Sequence, residues 1–179
     1  KPSSAASDVY KRQALSFEHI IYFLGVALCL LIFATAYFCC MKKLRHSRPI
    51  RNRYISEWVK THKIKRKIRF EQCDHISSPL TYGIFSPIIL LPQNTDFDNR
   101  QELNYILLHE YLHIRRFDCL LKIIAVVTVC IHWFNPLVWL MYFFLNRDME
   151  LSCDEFVVRK NGKTARASYA RLLIAMEER

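Results

Sequence analysis

Two histidines and a glutamate lie within five residues of one another, in the stretch HEYLH, and their types suit metal-assisted hydrolysis. They are His109, Glu110 and His113. Residues four apart lie on one face of a helix, so both imidazoles can reach one ion. Glu110 lies beside them and can accept a proton from a water molecule that the ion activates. The stretch predicts a Zn²⁺ site with His109 and His113 as metal ligands and Glu110 as the catalytic base; the plainer alternative is a surface helix that carries two histidines.

A catalytic zinc site needs a third protein ligand as well as an open position for water. The extension HxxGxxH is absent, because the residues from His113 onward read HIRRFD. The best candidate is Glu150, in NRDMELSCDEFVV, and Asp154 lies one turn later on the same helix face. Asp154 can accept a hydrogen bond from a ligand histidine. The alternative is an acidic helix start that faces solvent.

An apolar run separates the two parts of this site. Cys119 to Leu145 are interrupted by one charged residue, Lys122. A single straight helix of this length would be about 40 Å long and would carry Glu150 far from His113. If Glu150 is a ligand, the chain must therefore fold back.

The stretch HWFNP offers the place for that turn, because Pro136 disfavours helical structure at the residue before it. We predict an apolar helical hairpin at residues 119–146, with halves at Cys119–Trp133 and Pro136–Asn146, that packs on the membrane surface or dips partway in. A helix at residues 147–160 then carries the third ligand. His132 is predicted to be a polar group at the bend and not a ligand.

A first apolar run lies near the start of the chain. Ile20 to Cys40 contain no charged side chain, and these 21 residues would form a helix of roughly 31 Å, close to the ~30 Å hydrocarbon core of a bilayer. We predict a transmembrane helix at residues 17–41, against the alternative of a buried core helix. Residues 1–16 are then an extracytoplasmic tail or loop. The chain does not begin with Met, which suggests a piece of a longer protein.

Basic residues explain much of the net charge of +10. Six Lys or Arg and no acid lie between Lys42 and Arg53, and such an excess marks the cytosolic side of a span. Residues 42–67 are predicted as a basic juxtamembrane segment with an amphipathic helix at about Arg51–Lys67. Its nearest partner is anionic membrane lipid, so direct nucleic-acid binding is not expected. Seven unpatterned cysteines without a CxxC pair favour a reducing compartment and disfavour a cysteine-based structural zinc site.

Residues 68–92 are rich in β-formers and broken by Pro and Gly, which predicts a small sheet with strands near Ile68–Gln72, Leu80–Gly83 and Ile88–Leu91. Proline confines strands to sheet edges, and a free edge can bind an extended peptide. We therefore predict Ile88, Ile89, Leu90 and Leu91 as an edge that binds substrate; an ordinary edge hairpin is the alternative. Residues 98–116 are predicted as the helix of the zinc motif, capped by Asp96 or Asp98.

Four motifs in order, SPLTYGIFSPIILLP, HEYLHIRRFD, HWFNPLVW and ELSCDEFVV, closely resemble the membrane zinc metallopeptidase domain of the bacterial β-lactam sensor-transducers. The resemblance covers the chain from about Arg51 to its end. It implies a gluzincin-type site in which His109, His113 and Glu150 match the zinc ligands and Glu110 the general base. It also implies a cytosolic catalytic domain that acts in signalling, through self-cleavage and loss of a transcriptional repressor. No penicillin-binding SxxK pattern occurs, so a sensor domain and further spans would belong to a longer protein.

The sequence thus predicts an α+β, mainly α chain: a transmembrane helix followed by a zincin-like domain at residues 68–179, in a bacterial cell membrane with the catalytic domain in the cytosol. The predicted function is a zinc endopeptidase whose substrate is a protein or peptide, such as a transcriptional repressor or the chain itself. Tyr82, Tyr111 or an arginine would stabilise the oxyanion. Two alternatives stay open: a non-catalytic adaptor stabilised by zinc, and a membrane protein quality-control peptidase. Oligomeric state is not predicted.

Overall fold

The computed structural model describes residues 4–62, 66–162 and 165–177. They form a mainly helical α+β fold, as predicted, with one small sheet. The elements in chain order are α1 (Ser4–Leu44), β1 (Arg48–Pro49), α2 (Arg53–Thr61), β2 (Arg69–Cys73), β3 (Leu80–Tyr82), β4 (Ile88–Pro92), α3 (Arg100–Arg116), α4 (Asp118–Ile131), α5 (Pro136–Asn161) and α6 (Ala165–Glu177).

The first helix is longer than the sequence suggested. It begins at Ser4, so the segment interpreted as a tail or loop continues the helix from that residue. Within it, Phe17–Leu44 is long and apolar enough to cross a membrane, and it is the one such helix among the described residues. The basic helix is shorter than predicted: α2 ends at Thr61, and residues 63–65 lie outside the described part.

The sheet corrects the prediction for Ile88–Leu91. Its strand order is β1-β2-β4-β3, with β4 parallel to β2 and antiparallel to β3, so β4 is an interior strand and cannot accept a peptide. Pro87 precedes β4 and Pro92 ends it, so neither removes a hydrogen bond from its middle. In the described residues, the outer strand next to β4 is β3.

Both faces of β4 are covered, which explains its uninterrupted apolar sequence. Ile89 and Leu91 belong to the main core with α3, α2 and α6. Ile88 and Leu90 pack on the opposite face, in a second cluster that includes Leu44 at the end of α1. Helix α1 is therefore joined directly to the sheet through apolar contacts.

The apolar run at residues 119–145 folds back on itself, as predicted. α4 ends at Ile131, and α5 begins at Pro136, where the Asn135 side chain accepts a hydrogen bond from the Leu137 N–H at 3.0 Å. The segments Asp118–Ile131 of α4 and Pro136–Glu150 of α5 are each about 20 Å long at 1.5 Å per residue. Because the two segments run in opposite directions from the bend, Glu150 lies at the same height as Asp118. The second half of the hairpin and the helix predicted at residues 147–160 are one continuous helix, α5.

The hairpin lies along α1. The Tyr22 hydroxyl donates a hydrogen bond to the Ile131 carbonyl oxygen at 3.0 Å. The ring of Phe33 stacks on Trp139, with 6.3 Å between centroids. The bend thus lies beside the N-terminal part of the apolar run of α1, and many apolar side chains of α4 and α5 face outward.

Candidate metal centre

Helix α3 carries the two motif histidines on one face. Its N-terminus is capped by the Asn99 side chain, which accepts a hydrogen bond from the Glu102 N–H at 3.2 Å. The prediction of Asp96 or Asp98 as the cap was wrong: the Asp96 carboxylate instead accepts bonds from the N–H groups of Asp98 and Asn99, in the turn that precedes the helix.

Three potential ligand atoms form a compact triangle. The Nε2 atoms of His109 and His113 are 3.2 Å apart. The Oε2 atom of Glu150 lies 3.3 Å from the first and 3.5 Å from the second. The structure therefore brings together the three residues that the sequence proposed as ligands, although two lie on α3 and the third on α5.

The triangle has the dimensions of one face of a tetrahedral zinc site. With zinc–nitrogen and zinc–oxygen distances of about 2.0–2.2 Å, the ligand atoms of a tetrahedron are separated by about 3.3–3.5 Å. The three observed distances match that range closely. Two imidazoles and a carboxylate also form a donor set that catalytic zinc uses, with a fourth position left for water or substrate.

A second set of residues that could bind a metal ion consists of His109, His113 and Cys153. Their potential ligand atoms lie within 4.8 Å of one another. The Cys153 sulfur lies 3.6 Å from Nδ1 of His113, which is also 2.8 Å from the Asp118 carboxylate. Nδ1 is the ring nitrogen that faces away from Glu150. We therefore favour the Glu150 set, because its three atoms converge on one point with both imidazoles in their present orientation.

The rear nitrogen of His109 has two partners. Its Nδ1 lies 3.1 Å from the Asp154 carboxylate and 3.0 Å from the Tyr169 hydroxyl oxygen. Tyr169 in turn donates a hydrogen bond to Asp154 at 2.7 Å. Such partners fix the orientation of a ligand imidazole and keep its proton on the nitrogen that does not bind metal. Asp154 lies where this role requires, and Tyr169 on α6 is an addition that the sequence did not reveal.

The rear nitrogen of His113 faces Asp118. The Asp118 carboxylate is 2% exposed and accepts hydrogen bonds from His113 Nδ1 at 2.8 Å and from the Arg116 side chain at 2.8 and 3.1 Å. Phe117, in the left-handed conformation with φ of 61°, turns the chain sharply between α3 and α4. This turn brings the Asp118 side chain back against His113 of α3.

Lys122, the one charged residue in the second apolar run, faces Glu150. Its ammonium lies 3.4 Å from Oε1, the carboxylate oxygen that does not face the histidines. Lys122 therefore contacts one oxygen of the Glu150 carboxylate, and the two imidazoles contact the other.

Burial and neighbouring charges shift the pKa values of His109, His113 and Glu150 strongly. Burial alone would lower the pKa of His109, but hydrogen bonds to Asp154 and Glu150 raise it to about 9. Burial likewise disfavours the charged form of His113, yet Cys153 and Glu150 raise its pKa to about 11. The two imidazoles in turn hold the pKa of Glu150 well below its usual range. The surrounding anionic groups favour positive charge at the triangle, which a dication can supply in place of protons.

Glu110 lies next to the triangle and is 5% exposed. Its Oε2 accepts a hydrogen bond from the Thr81 hydroxyl on β3 at 2.7 Å. The outer strand of the sheet and the candidate base are therefore in direct contact. Among the described residues, no further strand pairs with the outer side of β3, so this backbone edge lies beside the triangle of potential ligand atoms.

The other residues proposed from the sequence have different surroundings. Tyr111 packs its ring edge-on against Trp58, with 5.7 Å between centroids, in the core between α3 and α2. It therefore points away from the triangle. Tyr82 does line a cavity that Glu110 also lines. His132 lies at the hairpin bend, about 20 Å of helix from the ligand triangle.

The described residues match a known family almost throughout. A family model described as BlaR1 peptidase M56 matches residues 3–179. The chain belongs to the M56 peptidase family. Membership in M56 places it among metallopeptidase-type hydrolases, in agreement with the nature of the ligand triangle.

The chain is similar to two proteins that are regulatory by name and to one named for methicillin resistance. The regulatory protein BlaR1 of Bacillus licheniformis is 29% identical over 160 residues, which are 86% of this chain and 26% of that protein. The methicillin resistance mecR1 protein of Staphylococcus aureus is 27% identical over 151 residues, 78% of this chain and 25% of that protein. BlaR1 of Staphylococcus aureus is 28% identical over 178 residues, 92% of this chain and 29% of that protein. The chain thus spans between a quarter and a third of the length of these relatives.

Proposed function

We propose that this chain is the catalytic part of a membrane-anchored zinc endopeptidase that cleaves protein substrates at the cytosolic face. The observation that carries the proposal is the triangle of two imidazole nitrogens and a carboxylate oxygen beside a buried glutamate. His109, His113 and Glu150 would hold the ion, and Glu110 would be the base. A purely structural zinc site needs no such base, which favours an enzyme over an adaptor.

Each residue at the site has a chemical task in this proposal. A bound zinc ion supplies Lewis acidity, which makes water a stronger acid and polarises a carbonyl group. Glu110 accepts a proton from the attacking water and donates it to the leaving amine. The Thr81 hydroxyl holds one oxygen of Glu110 and thereby leaves the other free for this transfer. Asp154 and Asp118 orient the two histidines from behind.

The substrate backbone would bind to β3. This strand is hydrogen-bonded to β4 on one side and is the outer strand of the described sheet. Its Thr81 contacts Glu110, so a peptide paired with β3 would carry its backbone past the base. An added strand gains main-chain hydrogen bonds with little dependence on sequence. β3 takes the role that the sequence assigned to Ile88–Leu91.

The membrane setting and the biological role extend the proposal. The basic segment after α1 favours a cytosolic catalytic domain by the positive-inside rule. The names of the relatives describe regulatory and methicillin-resistance proteins. We therefore propose signal transduction that controls transcription in an antibiotic response, by cleavage of a repressor or by self-cleavage.

Three proteins test the proposal: wild type, Glu110→Gln and Glu150→Ala, each purified in detergent. Zinc content is measured by atomic emission, and cleavage is followed by mass spectrometry on cellular proteins and on the chain itself. Wild type should bind one zinc and cleave, Glu110→Gln should bind zinc without cleaving, and Glu150→Ala should lose zinc. Undiminished cleavage by Glu110→Gln would refute the role of Glu110, and a zinc-loaded wild type without any cleavage would favour the adaptor.

A further inference from the structure

The side chain of Arg66, just before β2, connects two loops near the metal triangle. Its guanidinium group donates a hydrogen bond to the Ile84 carbonyl oxygen, in the loop after β3, at 2.6 Å. It also donates to the Ile114 carbonyl oxygen, in the last turn of α3, where the negative end of the helix favours a cation. The central carbon of the guanidinium lies over the ring of Phe117, 3.7 Å from its centroid.

Two of these contacts converge on a turn whose backbone is unfavourable for its residue type. Phe117 joins α3 to α4 with φ of 61° and ψ of 37°, and its N–H donates to the carbonyl oxygens of His113 and Ile114. Glycine is the usual residue at such a helix end, because a Cβ in the left-handed conformation crowds the backbone. Phenylalanine has a Cβ, so contacts with the surrounding structure must offset this cost. Arg66 supplies two of them, through the ring of Phe117 and through the Ile114 carbonyl.

The conformation of this turn determines the position of the next residue. The buried Asp118 carboxylate lies 2.8 Å from Nδ1 of His113. If Phe117 relaxed to an ordinary helical or extended conformation, the chain would leave the turn in another direction and this contact would be lost. His113 would then lack the partner that keeps its proton on the nitrogen that faces away from the triangle. A chain of direct contacts thus leads from Arg66 through Phe117 and Asp118 to His113.

We propose that Arg66 is a positioning residue of the metal centre: it holds Phe117 in the left-handed conformation and thereby keeps the Asp118 carboxylate behind His113. The inference rests on the proposed function, in which His113 is a zinc ligand. The bond to Ile84 joins the same side chain to the loop after β3, so the outer strand and the metal centre share one support. The alternative is a general structural role in which Arg66 only ties the two loops together.

Zinc binding by variants of Arg66 and Phe117 tests the proposal. Competition with a fluorescent zinc chelator measures the affinity of the full chain in detergent at pH 7.5. Arg66→Met removes the charge and the N–H donors and should weaken zinc binding at least about fivefold, the factor that matches the smallest cost expected for a left-handed non-glycine residue. Phe117→Ala removes the ring and keeps a Cβ, so it should show a similar loss. Arg69→Met is the matched control: its side chain is 55% exposed on β2, and the variant should keep wild-type affinity.

Phe117→Gly distinguishes positioning from a general structural role. Glycine adopts the left-handed conformation readily, so this variant should stay within about twofold of wild-type zinc affinity although it lacks the ring. Adding Arg66→Met to Phe117→Gly should change the affinity by less than about twofold, because the turn then no longer depends on the arginine. If Arg66 only ties the two loops together, its removal should cause the same fold-loss with either residue at position 117.

A measurement on the metal-free protein separates the inference from the proposed function. An Nδ1–H group of His113 that is hydrogen-bonded to a carboxylate gives a downfield proton resonance in the NMR spectrum of protein with isotope-labelled histidine. Its loss in Asp118→Asn assigns the resonance. We expect the resonance in wild type, its loss in Arg66→Met, and its return when Phe117→Gly is added.

The outcomes decide the two proposals separately. Loss of zinc affinity and of the resonance in Arg66→Met, with both restored by Phe117→Gly, would support the positioning role. Unchanged affinity and resonance in Arg66→Met, or equal losses in both backgrounds, would overturn it. A wild type that binds no zinc would overturn the proposed function, and the resonance would then decide the inference alone. If thermal unfolding shows that Arg66→Met is not folded, Arg66→Lys replaces it: lysine keeps the charge but lacks the planar fork that bonds both carbonyl oxygens, so the same losses are expected.

Discussion

Replacing Asp118 by asparagine removes the charge behind His113 while it keeps the size of the side chain. Both carboxylate oxygens face N–H donors: one accepts from His113 and Arg116, and the other from Arg116. The amide nitrogen of asparagine must replace one of these oxygens. Its N–H groups would then face an N–H group of His113 or Arg116. If the amide donates to Nδ1 of His113, the imidazole proton moves to Nε2 and blocks the metal-binding nitrogen.

The loss should appear mainly as weaker zinc binding. Removal of the partner behind a ligand histidine typically weakens metal binding 10- to 100-fold, which is about 1.4–2.7 kcal/mol. Asp118 is 2% exposed, so solvent cannot replace the lost interaction, and we expect the upper half of this range. Glu110 is unaffected, so cleavage at saturating zinc should fall less than zinc affinity.

Competition with a fluorescent zinc chelator, in detergent at pH 7.5, measures the affinity. Asp148→Asn is the matched control, because it removes an exposed carboxylate on α5 two residues before Glu150. Thermal unfolding of the metal-free proteins checks that each variant is folded. A folded Asp118→Asn protein whose zinc affinity stays within threefold of wild type would refute the positioning role.

Three further predictions follow from other contacts. Gly25→Leu should destabilise the hairpin by about 1–3 kcal/mol in thermal unfolding, because a Cβ at Gly25 would overlap the Trp133 ring. Ala27→Leu, at an exposed position two residues later, should have little effect, and equal melting temperatures of the two variants would contradict the packing. Tyr169→Phe removes a hydroxyl that is hydrogen-bonded to Asp154 and His109, so the free energy of unfolding measured by chemical denaturation should fall by about 1–2 kcal/mol. An unchanged denaturation midpoint would argue against a stabilising role of these hydrogen bonds. Without metal, the pKa of His109 is raised to about 9 and that of His113 to about 11. If both bind zinc, as proposed, the ion must displace their protons, so its apparent affinity should rise by roughly one to two orders of magnitude per pH unit from pH 6 to 8. An affinity independent of pH would be incompatible with these pKa values.

The convergence of His109, His113 and Glu150 could be anticipated because it depends on local rules. Spacing on a helix brings His109 and His113 together, and the need for a third ligand makes the chain fold back at Pro136. The structure places Glu150 beside both histidines, while its role as a ligand remains a proposal. Helix type and the hairpin therefore followed from periodicity, length and one proline.

Strand position could not be obtained in the same way. The prolines near Ile88–Leu91 suggested an edge, yet both flank the strand and leave its middle free for pairing. The signal that would have corrected this is the run of four apolar residues without alternation, which is typical of a strand buried on both faces.

The groups behind the ligands depend on contacts that sequence spacing does not encode. Asp118 approaches His113 only because Phe117 adopts a left-handed conformation, which is uncommon for a non-glycine residue. Tyr169 reaches His109 from a separate helix, 60 residues later. Lys122 did carry a readable signal, since a lone charge in an apolar run usually has a functional partner.

The contact between α1 and the sheet makes these two parts of the chain one mechanical unit. Met41 and Leu44, at the end of α1, pack against Ile88 and Leu90 of β4 in one apolar cluster. β4 is hydrogen-bonded to β3, and Thr81 of β3 donates a hydrogen bond to Glu110, the candidate base. If α1 spans a bilayer, as proposed, a tilt or axial shift of α1 would move the outer edge of β3 relative to His109, His113 and Glu150, because α1 packs directly on β4 and β4 pairs with β3.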